Sequence, residues 1–134
     1  MERLDSGKRE ILCQDGASWR WTMGHAADVA YAVVLAAESE ETGFSVYNVG
    51  EACTPAMRER ADLIAEIMGV KIEWKETADD LPEEFSMFGR ARTDFVVDTT
   101  LIRRRLGFKE RLSSRDAIKD LVQWSCSSFR HATR

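Results

Sequence analysis

The residue types that most often carry catalysis in α/β enzymes are present in this sequence without the spacing they need. No two of the eight glycines lie two or three residues apart, so no backbone loop is predicted to cradle a pyrophosphate. A tyrosine general acid/base needs a lysine one helical turn later, but Leu35 follows Tyr31 and Glu51 follows Tyr47 at that spacing. The Walker loop, the G-x-S-x-G elbow and the H-E-x-x-H motif are also absent. We therefore predict no catalytic and no cofactor-binding residue in this chain.

The cysteines and histidines do not have the spacing of a metal site. Cys13, Cys53 and Cys126 are far apart and form no C-x-x-C pair. His25 and His131 complete no familiar zinc spacing with them. We expect reduced thiols, no disulfide and no bound metal.

Ligand binding has more support than catalysis. Trp19 and Trp21 flank Arg20, and two indole rings beside a guanidinium could stack on a nucleobase. The alternative is that the four tryptophans, including Trp74 and Trp124, pack in the interior. Both interpretations stay open at this stage.

Charge and hydropathy exclude several classes of partner. The 134 residues carry a formal charge of −4 with a pI near 5.3, so we expect no nucleic-acid partner. One basic cluster is better explained as solvated surface; it contains Arg103, Arg104, Arg105, Lys109, Arg111 and Arg115. No apolar run reaches the length of a membrane span, and the charged first residues do not resemble a signal peptide. We expect a cytoplasmic protein.

The first half of the chain alternates strands and helices. Residues 10–14 favour a short strand that Asp15-Gly16 ends with a turn. Apolar residues recur every three or four positions over residues 25–38 and predict a helix. Residues 44–49 alternate large apolar with polar residues and predict a strand that ends at Gly50.

The second half continues the same alternation. Thr54-Pro55 has the chemistry of a helix start, and Gly69 of a helix end. Residues 70–75 predict a strand with Val70, Ile72 and Trp74 on one face. Residues 79–92 are acidic and contain Pro and Gly, which predicts a mobile loop.

Two helices close the sequence. Asp98 or Thr99 can cap a short helix that runs to Leu106 and stops at Gly107. Ser113 with Asp116 resembles a capping box for the last helix. The last helix is predicted to bury Ile118, Leu121, Val122, Trp124 and Phe129.

Three stretches, in this order, resemble the C-terminal portion of NAD(P)-dependent nucleotide-sugar epimerases and dehydratases, the extended short-chain dehydrogenase/reductase family. HAADVAYA at 25–32 looks like the family's H-V-x-D-V-A-x-A helix start, and FSVYNVG at 44–50 looks like its Y-N-V-G strand. VDTT at 97–100, followed by RLGF at 105–108 and a final helix, is similar to its D-t-s-to-L-G-[WF] segment. Together the matches cover about residues 10–130.

The resemblance implies an α/β fold, α+β-like in this chain, with about four helices and short strands. Residues 1–134 would form a single C-terminal substrate-binding region that lacks the Gly-rich NAD-binding half and is not catalytic alone. NAD(P) would serve the full-length parent. The alternative is a stand-alone, non-catalytic module that binds a nucleotide sugar or a protein.

The resemblance implies substrate contacts at Arg20, Trp21, His25, Asn48 and Arg92. The family places an arginine four residues before the histidine, to meet the nucleotide diphosphate, but Trp21 occupies that position here and Arg20 lies one residue earlier. The family's R-x-G-D segment has no match, so Arg92 is its nearest substitute. A helix-capping role for His25 and a turn-anchoring role for Asn48 are the alternatives.

The resemblance also implies binding partners. A chain without its N-terminal half should expose apolar surface, which that half or a second copy would cover. We therefore expect a homodimer or an N-terminal NAD-binding partner, together with a nucleotide-sugar substrate.

Overall fold

The computed structural model describes residue 4, residues 7–78 and residues 93–132, with side chains up to residue 127. The described part holds four α-helices and two β-strands, which confirms the α/β prediction. In chain order the elements are β1 (Glu10–Cys13), a 3-10 turn (Asp15–Ala17), α1 (Ala26–Glu38), α2 (Met57–Ile67), β2 (Glu73–Glu76), α3 (Thr100–Leu106) and α4 (Ser114–Ala132). None of the described helices is long and apolar enough to cross a membrane.

The two strands pair in parallel, with Ile11 opposite Trp74 and Cys13 opposite Glu76. The prediction for β1 is confirmed, whereas β2 starts three residues later than residues 70–75 suggested. The predicted alternation still holds, because Val70, Ile72 and Trp74 are half-buried and the residues between them are exposed. Parallel pairing requires a long crossover, and both α1 and α2 lie within it.

Local capping chemistry explains most helix boundaries. His25 is the N-cap of α1, and its Nδ1 accepts the Ala27 N–H at 3.2 Å. Gly107 ends α3 in the left-handed conformation at φ 65°, where glycine avoids the strain of a Cβ. The Ser113 hydroxyl accepts the Asp116 N–H at 3.1 Å at the start of α4, as the capping prediction required.

The start predicted for α2 is wrong by two residues. Ala56 is the N-cap, and the Glu59 carboxylate accepts the Ala56 N–H at 2.9 Å. The Thr54 hydroxyl is instead hydrogen-bonded to the Thr22 hydroxyl at 2.9 Å. A tertiary contact thus uses the group that the sequence assigned to the cap.

The strand predicted at residues 44–49 is also wrong. In the described part of the chain these residues pair with no strand. Tyr47 and Val49 face the core, but Phe44 is 92% exposed and Val46 is 67% exposed. A strand needs a neighbour for its backbone N–H and C=O groups, and the described fold supplies none here.

The core is centred on Ala32, Ile102 and Phe108, which join α1 to α3 and the turn after it. On α4 the buried stripe is Ile118, Val122 and Ser125, at the four- and three-residue spacing of one helix face. The predicted burial of two further α4 residues is wrong, because the neighbouring stripe leaves them exposed: Leu121 at 41% and Trp124 at 65%. The Phe129 side chain and the loop predicted at residues 79–92 lie outside the described residues.

Candidate functional site

A short stretch, residues 94–98, is the connector that brings the predicted binding residues together. Trp21 forms a parallel bridge with Phe95 of this connector. The Phe95 N–H donates to the Arg20 carbonyl at 2.8 Å, and the Thr22 N–H donates to the Phe95 carbonyl at 2.9 Å. Two backbone hydrogen bonds therefore fix the connector against the segment that carries Arg20 and Trp21.

The Arg20 guanidinium is paired with Asp94 of the connector. Its Nε and Nη2 donate to Asp94 Oδ2 at 2.9 and 2.7 Å. The Arg20 backbone N–H donates to Asp94 Oδ1 at 2.8 Å. These hydrogen bonds hold the pKa of the Asp94 carboxyl below its usual range. Both side chains remain about half exposed, so the cation is ordered and still meets solvent.

The same two segments carry an aromatic cluster one residue further along, at Trp21 and Phe95. The Trp21 and Phe95 ring centroids are 5.5 Å apart, and Trp19 packs edge-on against Trp21 at 6.4 Å. Trp21 and Phe95 are both partly exposed. The two segments thus present exposed ring surface, which can stack on a nucleobase or sugar ring, and an ordered cation, which can bind phosphate.

Asn48 also contacts the connector. Its Nδ2 donates to the Asp98 carbonyl at 3.1 Å. The Val97 N–H donates to the Thr22 hydroxyl at 3.0 Å, so the connector touches residues 20–22 and Asn48 in turn. The contact supports the turn-anchoring alternative for Asn48, although its side chain stays exposed.

His25 lies apart from this cluster, at the edge of a groove of ≈ 440 Å³ between the start of α1 and α4. Since its Nδ1 accepts the Ala27 N–H, its Nε2 carries the proton and donates to Asp120 at 2.9 Å. Leu121 and Trp124 form the exposed apolar wall of the groove. His25 therefore has the helix-capping role that the sequence left open.

A buried ion pair lines part of this groove. Arg60 Nη2 donates to Glu51 Oε1 at 2.6 Å, and the Met23 N–H donates to the same oxygen at 3.1 Å. Arg60 is only 8% exposed, and its Nε is buried with no hydrogen-bond partner among the described residues. The pair ties α2 to the segment that follows Trp21.

A second ion pair fixes the turn after residues 44–49. Arg103 donates from Nη1 and Nη2 to Glu110 at 3.0 and 2.7 Å, and from Nη2 to the Gly50 carbonyl at 2.8 Å. Glu110 also accepts the Ala52 N–H at 2.8 Å. The hydrogen bonds from Arg103 lower the pKa of Glu110 to about 2. This network positions the backbone just after Asn48.

The side chains of the basic cluster contact different neighbouring groups. Arg103 pairs with Glu110, Arg105 with Glu41 at 3.8 Å, and Arg115 with Glu66 at 2.7 Å. Arg111 lies over the Tyr31 ring with its guanidinium carbon 5.2 Å from the centroid. Three of the six charges are thus opposed by carboxylates, which supports the solvated-surface interpretation.

The described residues do not fit a dinucleotide. In such a site, backbone N–H groups at the carboxyl end of a strand receive a pyrophosphate. At the end of β1, the Gly16 N–H instead donates to Glu76 at 3.2 Å, and Cys13 Sγ donates to the same carboxylate. A fixed carboxylate at this strand end would repel a phosphate. In the described ranges no group of three or more His, Cys, Asp or Glu side chains is placed to hold a metal ion.

Sequence reasoning found some members of the site and missed others. Arg20 and Trp21 lie together, and Arg92 lies outside the described residues. Asp94 and Phe95 were missed because their contacts with Arg20 and Trp21 join residues 74 apart in the chain. An acidic-aromatic pair next to a predicted loop was the available signal.

Several solved structures have a fold similar to that of this chain. No protein-family model and no curated protein matches the sequence. A UDP-glucose 4-epimerase with UDP-glucose from Thermotoga maritima matches 96% of this chain and 38% of its own, at 21% identity and a TM-score of 0.72. A UDP-glucuronic acid 4-epimerase with NAD from Bacillus cereus matches 91% of this chain and 35% of its own, at 12% identity and a TM-score of 0.67.

RMD from Pseudomonas aeruginosa, complexed with NADPH, matches 90% of this chain and 38% of its own, at 18% identity and a TM-score of 0.66. The chain thus spans a little over a third of the length of these solved structures. The expected resemblance is confirmed at the level of the fold: the chain is folded like part of these solved UDP-sugar 4-epimerases.

Proposed function

We propose that residues 1–134 are the C-terminal substrate lobe of an NAD(P)-dependent nucleotide-sugar epimerase- or dehydratase-like enzyme, and that the lobe is not catalytic alone. The observation that carries the proposal is the connector, which pairs Arg20 with Asp94 and packs Trp21 against Phe95 at the next position along the chain. The solved structures that share this fold include one with UDP-glucose and one with NAD.

The proposed ligand is a nucleoside diphosphate sugar. The Arg20 guanidinium binds its diphosphate, because a planar fork of N–H donors matches two phosphate oxygens. The exposed rings of Trp21 and Phe95 stack against its base or sugar. Arg92 is proposed as a second phosphate contact and Asn48 as a position that borders the site, whereas His25 caps α1 at the separate groove.

The cofactor belongs to another part of the enzyme in this proposal. The glycine spacing and the carboxylate at the end of β1 support this assignment. NAD(P) would be held by an N-terminal half, and hydride transfer would require both parts together. The class of reaction, whether epimerase, dehydratase or reductase, would be decided there.

An exposed apolar surface supports the existence of such a partner. We assign to it Val29, Val33 and Val34 of α1 together with Phe44 and Val46, all of which are exposed. Apolar patches of this kind on a monomer mark interaction sites. We propose that the NAD-binding half covers this surface and that, without it, the chain forms a homodimer there.

A stand-alone binding module is the second candidate. It is favoured by the ion pairs that order Arg20, Arg60 and Arg103 within this chain. A neighbouring gene that encodes a Gly-rich βαβ unit and a Tyr-x-x-x-Lys helix would support the enzyme, and its absence would support the module.

The proposal is tested by titrating the purified chain with UDP in a calorimeter. Arg20→Gln should weaken UDP binding at least about tenfold, because one charge-assisted phosphate contact is lost. Arg115→Gln is the matched control, since Arg115 is also half exposed and paired with a carboxylate at 2.7 Å. Equal affinity in the Arg20 variant and the unaltered chain would contradict the proposal.

A further inference from the structure

Asp94 holds Arg20 through the side edge of its guanidinium. Both Nε and Nη2 donate to the single oxygen Oδ2, at 2.9 and 2.7 Å. A guanidinium has five N–H groups in one plane, and this contact uses two of them. The edge formed by Nη1 and the second Nη2 hydrogen is directed away from Asp94. That edge has the geometry for a bidentate contact with another anion.

Asp94 is itself fixed by the backbone. Its other oxygen, Oδ1, accepts the Arg20 N–H at 2.8 Å. Its neighbour Phe95 exchanges two backbone hydrogen bonds with residues 20 and 22. A carboxylate held on both sides in this way cannot withdraw easily, so it defines where the guanidinium lies.

We propose that Asp94 is a positioning residue that holds the Arg20 guanidinium ready for the diphosphate of the nucleotide sugar. This inference rests on the proposed function, because Arg20 must first be a phosphate contact. A free arginine side chain samples many rotamers and loses that freedom on binding. Asp94 removes this loss in advance, so the remaining edge of Arg20 binds phosphate with less entropy cost.

Repulsion between the carboxylate and the phosphate is the opposing effect. The Asp94 charge is opposed by Arg20 at 2.7 Å, and both groups meet solvent. The guanidinium lies between the two anions and offsets their repulsion, and exposure of both groups to water weakens it further. Ordering of the guanidinium is therefore the larger effect, and loss of Asp94 should weaken binding.

The first experiment compares UDP binding to the unaltered chain and to Asp94→Asn at 0.15 M salt. Asparagine keeps an oxygen for the Arg20 N–H but loses the charge that holds the guanidinium. We expect about tenfold weaker UDP binding, and Asp94→Glu should recover part of it. Glu66→Gln, which releases the exposed Arg115 in the same way, should bind UDP like the unaltered chain.

A second measurement uses the unaltered chain and does not depend on the folding of a variant. The pH titration of the Asp94 carboxyl carbon is followed by NMR with and without UDP. If Asp94 keeps its hold on Arg20, its pKa stays below the usual range when UDP binds. If UDP displaces Asp94, the pKa returns toward its ordinary value and the inference is wrong.

The outcomes separate the two proposals. Unchanged or tighter UDP binding by Asp94→Asn, with binding weakened in Arg20→Gln, overturns the role of Asp94 alone. Unchanged binding by Arg20→Gln, or no UDP binding by the unaltered chain, overturns the proposed function and this inference with it.

Discussion

Arg60 and Glu51 offer the sharpest test of how this chain is held together. Arg60 is 8% exposed and donates to Glu51 at 2.6 Å and to the Trp21 carbonyl at 3.4 Å. Arg60→Met keeps most of the buried volume but leaves the Glu51 carboxylate without its cation. The chain should therefore lose stability.

The structure sets the size of the loss. Removal of one partner of a buried ion pair typically costs about 3–5 kcal/mol. Two observations lower that value. Glu51 retains the Met23 N–H at 3.1 Å, and the unpartnered Arg60 Nε, which is costly to bury, disappears. We expect Arg60→Met to reduce the free energy of unfolding by about 2–3 kcal/mol.

Urea denaturation followed by tryptophan fluorescence is the assay, since Trp21 accepts one of the Arg60 hydrogen bonds. The double variant Glu51→Gln/Arg60→Met should be more stable than Arg60→Met, because neither charge is left uncompensated. Arg115→Met, which breaks the exposed pair with Glu66, is the control and should leave the urea midpoint unchanged.

The double variant tests whether the uncompensated Glu51 charge causes the loss of stability. If it is less stable than Arg60→Met, the cost does not come from an uncompensated Glu51 charge. If Arg60→Met lowers the free energy of unfolding by less than about 1 kcal/mol, water reaches this ion pair through the groove.

Three further predictions concern other parts of the fold. Glu110 has a pKa of about 2, below its ordinary 4.5. Its ionised form therefore adds about 2–3 kcal/mol to the free energy of unfolding above pH 4.5, and this stabilisation is lost as pH falls toward 2. Glu110→Gln should remove this stabilisation, so the acid-denaturation curves of the variant and of the unaltered chain should converge near pH 2. Gly50→Ala should destabilise by about 1–3 kcal/mol, because a Cβ would lie 2.6 Å from Thr22 Cγ2; Gly24→Ala, whose nearest contact is 3.4 Å, should cost less than half as much by thermal melting. Val33→Lys should weaken self-association about tenfold in sedimentation, whereas a chain that is monomeric at high concentration would contradict the proposed dimer.

Helix positions could be predicted because their causes are local. The apolar period of α1, the glycine after α3 and the Ser113 cap of α4 all act within a few residues. The sequence therefore indicated four helices and the approximate place of each strand.

Contacts between distant residues could not be predicted in the same way. The Thr22–Thr54 hydrogen bond moves the start of α2, and residues 44–49 have no strand structure because they find no pairing partner in the described part of the chain. Alternation indicates that a segment can be a strand, but only a neighbour completes it.

The binding residues, too, could be predicted from local motifs but not from contacts between distant residues. The motif resemblance indicated Arg20 and Trp21, which the connector holds side by side. It did not indicate Asp94 or Phe95, because hydrogen bonds and ring packing across 74 residues leave no local pattern.

The central claim is that this chain binds the nucleotide sugar and not the dinucleotide. Parallel calorimetric titrations of the purified chain with UDP-glucose, NAD and NADP test it most directly. Binding of UDP-glucose without binding of either dinucleotide is the predicted result. Tight, stoichiometric binding of NAD would contradict the account, since it requires a cofactor site that neither the glycine spacing nor the end of β1 provides.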